Sequence, residues 1–484
     1  KGRPSRVDYA WAQDGPAPQM DATVPFGSEM TSAQISAAMD AADDERKMLT
    51  ENGFAPDFDG SYMPSVFGHP STHGTQIADL AAGAQPDDLD AALKRLVTVQ
   101  LPAYAVMDTS GASLIAALHH AAIYVFDRAR SMSAYYLKPL PVVLNISFGL
   151  TAGPRNGQHF LERPFRALAL KYREDMRKTF GDAGVPPVVR VVSAGNENIM
   201  RLHASGNAAG LSVPMRLQPE DQTPSFVEIW LPKSSTDASL TLTTPDGTAK
   251  QFDFASLDPA QPVGFDAQIL QQNGVIARVS LDAPHRAGDQ ADDLHWRILL
   301  CIAPTAGPNA RASAGLWQIE LTGTGLNGKA KAWILRDEPV SEFNSQGRQA
   351  YFDDDAAGAD AYQIFDALGD FAVDDAAPPV SAVSRNGAIS GLATNGLLRR
   401  KNGGQKPGDG PELDCVSVAA GRWDLPQAAL YSAADQLNGD QAPMVMAIAE
   451  TSRVLPNIRA SGTLSGTSSA LNGTSAAAPL VTRA

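Results

Sequence analysis

PVVRVVSAGNEN (Pro187–Asn198) is the stretch on which the reading of this chain turns. Val188, Val189, Val191 and Val192 form a nearly continuous apolar run. Stiff β-branched side chains favour a pleated surface, and a run without polar alternation suits a strand buried on both faces, as in a parallel sheet. Ser193-Ala194-Gly195 ends that run and delivers the amide of Asn196 to the C-terminal edge. Open α/β sheets gather their sites at that edge, and an amide N–H there suits stabilisation of an oxyanion. Read alone, the motif is more often an ordinary turn built on Gly-Asn.

Moving outward, a second strand of the same texture is PVVLNIS (Pro141–Ser147). A short buried strand is expected at Tyr104–Val106. Helices are expected within Thr31–Leu49 and over His73–Ala84, Gly111–Tyr135 and Phe160–Phe180. In Gly111–Tyr135, Leu114, Leu118, Ala122 and Val125 recur at helical steps. Strands alternating with helices predict an α/β fold with a parallel sheet flanked by helices. From about Leu211 the texture changes. VEIWLP (227–232), SLTLTTPDG (239–247), VIARVSL (275–281), LHWRILLCIA (294–303), GLWQIELTG (315–323) and KAWILR (331–336) are short β runs bounded by turn residues. They predict an antiparallel sandwich. Core-like strands return near Cys415–Ala419 and Met444–Ala449, so the sandwich is inserted, not appended. The expected division is 1–210 and 337–484 for the α/β part, with 211–336 as the insertion.

The 484 residues carry 39 Lys+Arg against 53 Asp+Glu, a net charge of −14. A polyanion would be repelled on average, which argues against a nucleic-acid partner. No apolar run is long enough for a membrane-spanning helix. Cys301 and Cys415 are the only two cysteines, too few for a disulfide scaffold or a cysteine-built zinc site. The opening KGRPSRVDYAWAQDG has no apolar leader, and the closing GTSAAAPLVTRA stops while still reading as helix. The chain is therefore expected to be clipped at both ends, and the compartment is not legible.

Two further motifs carry chemistry. Gly473-Thr474-Ser475-Ala476-Ala477-Ala478-Pro479 puts a serine at the start of a helix. Backbone N–H groups in a first turn are unpaired and favour negative charge, so such a serine sits beside a ready-made oxyanion donor. The alternative is an alanine-rich turn with a hydroxyl cap. Ser71-Thr72-His73-Gly74-Thr75 opens another helix on an imidazole, the natural general base for a serine. Asn145-Ile146-Ser147-Phe148-Gly149 is a strand end suited to pairing with an extended peptide.

Taken together and in chain order, these blocks resemble the subtilisin-like serine peptidases. STHGTQIADLAAG (71–83), YAVMDTSG (104–111), VVLNISFG (142–149), VVSAGNEN (191–198), YSAAD with QAPMVMAIAE (431–450) and SGTSSALNGTSAAAP (465–479) carry the likeness. The resemblance implies Ser475 as nucleophile, His73 as general base and then acid, and Asn196 as oxyanion donor. It implies that Ser147, Phe148 and Gly149 pair with substrate, with Ala194 and Gly195 as a second wall. A polypeptide is the implied substrate, and secretion or a periplasmic setting the implied location. GLWQIELTG and KAWILRDE make the insertion similar to the jelly roll of Csp-type members.

The family's catalytic aspartate precedes the histidine. Asp108 follows His73 and matches a different block. Asp14 follows DYAWAQ, which is only half apolar, so the aspartate is expected upstream of Lys1, with Asp14 the weaker choice. Loss of it leaves a second reading open, an inactive relative acting as a binding or regulatory module. A Gly-x-Ser-x-Gly esterase elbow is absent. No cofactor is expected. Structural calcium is compatible with the acidic runs Asp353–Asp355 and Asp374–Asp375, which are equally ordinary solvated faces, and no metal site is assigned. Oligomeric state is not readable.

Overall fold

The computed structural model describes residues 5–15, 24–52, 72–84, 88, 91, 93–108, 111, 113–148, 150–153, 162–182, 185–198, 200–257, 268–271, 274–283, 294–337, 346–353, 414–433, 445–452 and 454–484. Gly149, Asp354, Asp355, Asp374 and Asp375 lie outside these residues.

The chain begins with β1 (Val7–Ala12), β2 (Ser28–Thr31), α1 (Ser32–Ala41) and α2 (Glu45–Glu51). Next come α3 (His73–Ala82), β3 (Leu96–Gln100), α4 (Ala103–Met107) and α5 (Leu114–Tyr136). β4 (Val142–Ile146), α6 (Glu162–Phe180) and β5 (Val188–Ser193) follow. The structure departs from the sequence expectation at two elements. Tyr104–Val106 is part of helix α4, because Pro102 ends the extended segment and starts the helix; the strand lies earlier, at β3. The expected single helix in Thr31–Leu49 is two, broken after Ala41 and started by a capping box of Thr31 and Gln34.

The next eleven strands belong to two antiparallel sheets. They are β6 (His203–Ser205), β7 (Leu211–Leu217), β8 (Ser225–Pro232), β9 (Ala238–Thr243) and β10 (Ala249–Phe254). β11 (Gln268–Gln271), β12 (Val275–Asp282), β13 (Leu294–Ile302), β14 (Gly315–Thr322), β15 (Lys331–Ile334) and β16 (Tyr351–Phe352) complete the set. The sheet orders are β10-β9-β14-β7-β16 and β11-β12-β13-β8-β15-β6. Alternate residues of both sheets, among them Val213, Ile229, Leu240, Ile298, Trp317 and Ile319, fill one shared core. Period-2 alternation explains this, since each strand turns one face inward. The pairing reaches past 211–336 at both ends, because β6 and β16 are too short to show a sequence period but still join the ladders.

The chain then returns through β17 (Asp414–Arg422), β18 (Val445–Glu450), the hairpin β19 (Ile458–Ser461) with β20 (Ser468–Leu471), and α7 (Thr474–Arg483). β18-β17-β5-β4 form a parallel sheet. β5 is its most buried strand, as its valine run predicts. A further sheet has the order β2-β1-β3, with β1 parallel to β3. DYAWAQ thus contributes to a strand despite being half apolar. Its apolar side chains pack on α5, where Trp11 meets Tyr124 and Val125. The other stretch of α5 packs on β4 through Leu118 and Ile146. One helix therefore bridges the two sheets containing parallel strands.

Candidate active site

α7 opens at Gly473, whose φ of 102° is a conformation that glycine adopts readily and other residues rarely do. Ser475 is the second helical residue, so its backbone N–H lies in the unpaired first turn. The small side chains that follow have a packing role: Ala476, Ala477 and Ala478 are fully buried and pack with Val191, Val418 and Ala420 of the parallel sheet. Pro479 has a local consequence as well. It has no N–H, so the Ser475 carbonyl lacks its helical donor. The Ser147 hydroxyl supplies one at 3.3 Å, and the Ser475 hydroxyl donates to the Ser147 carbonyl at 3.2 Å. Asn145 continues the chain, donating to Ser147 Oγ at 3.1 Å and accepting from Thr482 at 3.0 Å.

Asn196 follows the end of β5 and meets the same turn. Its side-chain oxygen accepts the Thr474 backbone N–H at 2.8 Å and the Thr474 hydroxyl at 2.9 Å. A backbone N–H can only donate, so the atom facing it is the amide oxygen. Nδ2 is thereby directed elsewhere, and among the described residues it meets no acceptor. A Cβ built on Gly473 would stand 3.0 Å from that nitrogen, so glycine is what permits the close approach. Gly195 N–H donates to Thr474 Oγ1 at 3.1 Å, which ties the strand end to the turn a second time. Thr474, fully buried, is therefore the joint between the Asn196 and Ser475 segments. Sequence reading missed its role. The sole signal was its place between glycine and serine.

His73 is the first residue of α3. That helix lies against α7 through Ile77, which shares a cluster with Ala476–Ala478. Thr72 accepts from Thr463 at 3.1 Å, and Gln76 donates to Ser469, so α3 is also held to the β19–β20 hairpin. His73 keeps an exposed face, yet the protein around it desolvates the imidazole and pushes its pKa below the ordinary value. Water on the open face limits that shift. Among the described residues His73 bonds neither Ser475 nor a carboxylate. Asp14 follows β1, but its Oδ2 accepts the Ala103 N–H at the start of α4, at 3.1 Å, and its carboxyl is raised by partial desolvation.

The structure thus joins Ser147 to Ser475 directly and Gly195 and Asn196 to the same turn through Thr474, and it packs the helix that begins at His73 against α7. Ala194 is buried below them, its N–H donating to the Val418 carbonyl at 3.0 Å. Phe148 packs into the core beneath α5. Two contacts link this region to the sandwich. Ala152, beyond β4, is packed with Trp230, Trp333 and Leu335. Glu197, buried beside Asn196, pairs with Arg336 at 3.3 Å. Among the described residues no cluster of three or more metal-ligating side chains occurs. Asp353 is instead buried against Arg216 and Arg201.

No protein-family profile matches the chain. No curated protein matches it either. Among solved structures it is similar to the CspB protease of Clostridium perfringens, at 16% identity and a TM-score of 0.59. The match covers 99% of this chain and 77% of that one. At that identity the likeness is one of fold: a mixed α/β architecture with a parallel sheet and several antiparallel sheets, shared with a subtilisin-like protease.

Proposed function

We propose that the chain is a serine endopeptidase of the subtilisin-like kind, acting on polypeptides through an acyl-enzyme. Ser475 Oγ attacks the scissile carbonyl, and His73 takes its proton and returns it to the leaving amine. The Ser475 N–H and Asn196 Nδ2 stabilise the oxyanion. Ser147, Phe148 and Gly149 pair with the extended substrate, and Ala194 and Gly195 wall the specificity pocket. The insertion is proposed as a jelly-roll module, with 1–210 and 337–484 as the two parts of the peptidase. The observation that carries this reading is the Asn196 amide, held by Thr474 through its oxygen beside the nucleophile turn.

One observation favours a second reading, a binding module without turnover: His73 has no carboxylate partner among the described residues. A fluorophosphonate probe separates the two. The first reading expects labelling of Ser475 that is lost in Ser475→Ala and strongly reduced in His73→Ala. Equal labelling of the parent chain and His73→Ala rejects the assigned base. No labelling of Ser475 leaves the binding module.

A further inference from the structure

A second, partly buried polar contact ends on the nucleophile turn and has no part in the proposed reaction. The Gly473 N–H donates to the Tyr431 phenol oxygen at 2.8 Å. A phenol that accepts through its oxygen still has its own proton to give. The Glu450 carboxylate, at the end of β18, lies near that phenol. Burial raises the Tyr431 pKa and keeps the phenol neutral. Burial raises Glu450 as well, opposed by the neighbouring Tyr431 and Arg422. Arg422 is itself fixed by Asp424, at 3.1 and 2.8 Å.

The backbone around Tyr431 is tied to the other half of the site. Asn198 N–H donates to the Tyr431 carbonyl at 3.2 Å, and Ala433 N–H to the Gly195 carbonyl at 2.9 Å. The Asn198 amide also donates to the Leu430 carbonyl at 2.9 Å. One short segment therefore grips the Gly195–Asn198 turn with its backbone and the Gly473 turn with its phenol.

We infer that Tyr431 is a positioning residue: its phenol fixes Gly473, and through it sets Ser475 against the Asn196 amide. The inference rests on the peptidase reading above. Its test uses the full chain and a fluorophosphonate probe under saturating kinetics, which separate maximal labelling rate from apparent affinity. Tyr431→Phe should lower the maximal rate about tenfold and leave apparent affinity within about twofold. Amide hydrogen exchange of the 465–478 peptide gives a readout independent of chemistry, and Tyr431→Phe should speed it. Labelling of Tyr431→Phe at the parent rate overturns the inference. If the parent chain takes no label, the hydrolase reading fails on its own. Unchanged exchange in Tyr431→Phe then overturns the tether, and faster exchange supports it.

Discussion

At the scale of single residues, Asn196 spends both lone-pair directions of its oxygen on Thr474. Its nitrogen is the part left for chemistry. Asn196→Ala should therefore lower turnover by about 10²–10³, the size known for an amide oxyanion donor in subtilisin, with little change in KM. A rise in KM alone would remove Asn196 from the oxyanion role. His73 gives a second expectation with a definite sign. A general base works only when neutral, so labelling of Ser475 should rise with pH through the His73 pKa and level off above it. Desolvation moves that pKa below the ordinary 6.5, so the midpoint should fall on the acid side of that value. A pH–rate profile centred above it would show that His73 is not the base, or that a carboxylate outside the described residues raises it. Ser475, Asn196 and His73 were legible because glycine, hydroxyl, amide and imidazole stand in distinctive local settings. Thr474 and Tyr431 were not, because their hydrogen bonds join distant segments. Tyr431 and Gly473 lie 42 positions apart, and no local pattern records such a pairing.

At the scale of elements, the strands read from valine runs were recovered within a residue or two, since burial on both faces leaves a continuous apolar signature. The Tyr104–Val106 reading failed where that signature is ambiguous. Leu96–Gln100 and Ala103–Met107 are each 5 residues long, too short for the periods of strand and helix to separate. β1 was obscured for a different reason: its strand contains the charged Asp8, which pairs with Arg95 just before β3. α7 offers the sharper test of element physics. Pro479 interrupts its hydrogen bonding and thereby leaves the Ser475 carbonyl to Ser147. Pro479→Ala should restore the helical N–H, which competes with the Ser147 hydroxyl for that carbonyl. Thermal stability should hold or rise, while the Ser475 labelling rate falls severalfold. A loss of stability without a loss of rate would mean that Pro479 serves packing only.

At the scale of the whole molecule, the sandwich and the α/β part meet beside the candidate site. In sequence, the sandwich shows as the change in texture near Leu211, where β7 starts. Its contacts with Ala152 and Glu197 were beyond reach, because each joins segments far apart in the chain. Glu197 is buried next to Asn196, and Arg336, about a third exposed, reaches it just after β15. Removing the guanidinium leaves a buried carboxylate with less compensation, and such a loss costs several kcal/mol in a sealed site. Partial exposure of Arg336 scales this down, so Arg336→Ala should destabilise the chain by about 1–2 kcal/mol in urea unfolding. Glu197→Gln removes the charge that needs compensation. Combined with Arg336→Ala, it should recover part of the loss, a coupling that a double-mutant cycle measures directly. The same perturbation should reach Asn196 through the adjoining backbone and slow the labelling of Ser475 in Arg336→Ala, with recovery in the double variant. Strictly additive losses would show that the ion pair does not connect the insertion to the site, and the Trp230–Trp333 contact with Ala152 would then be the remaining physical link.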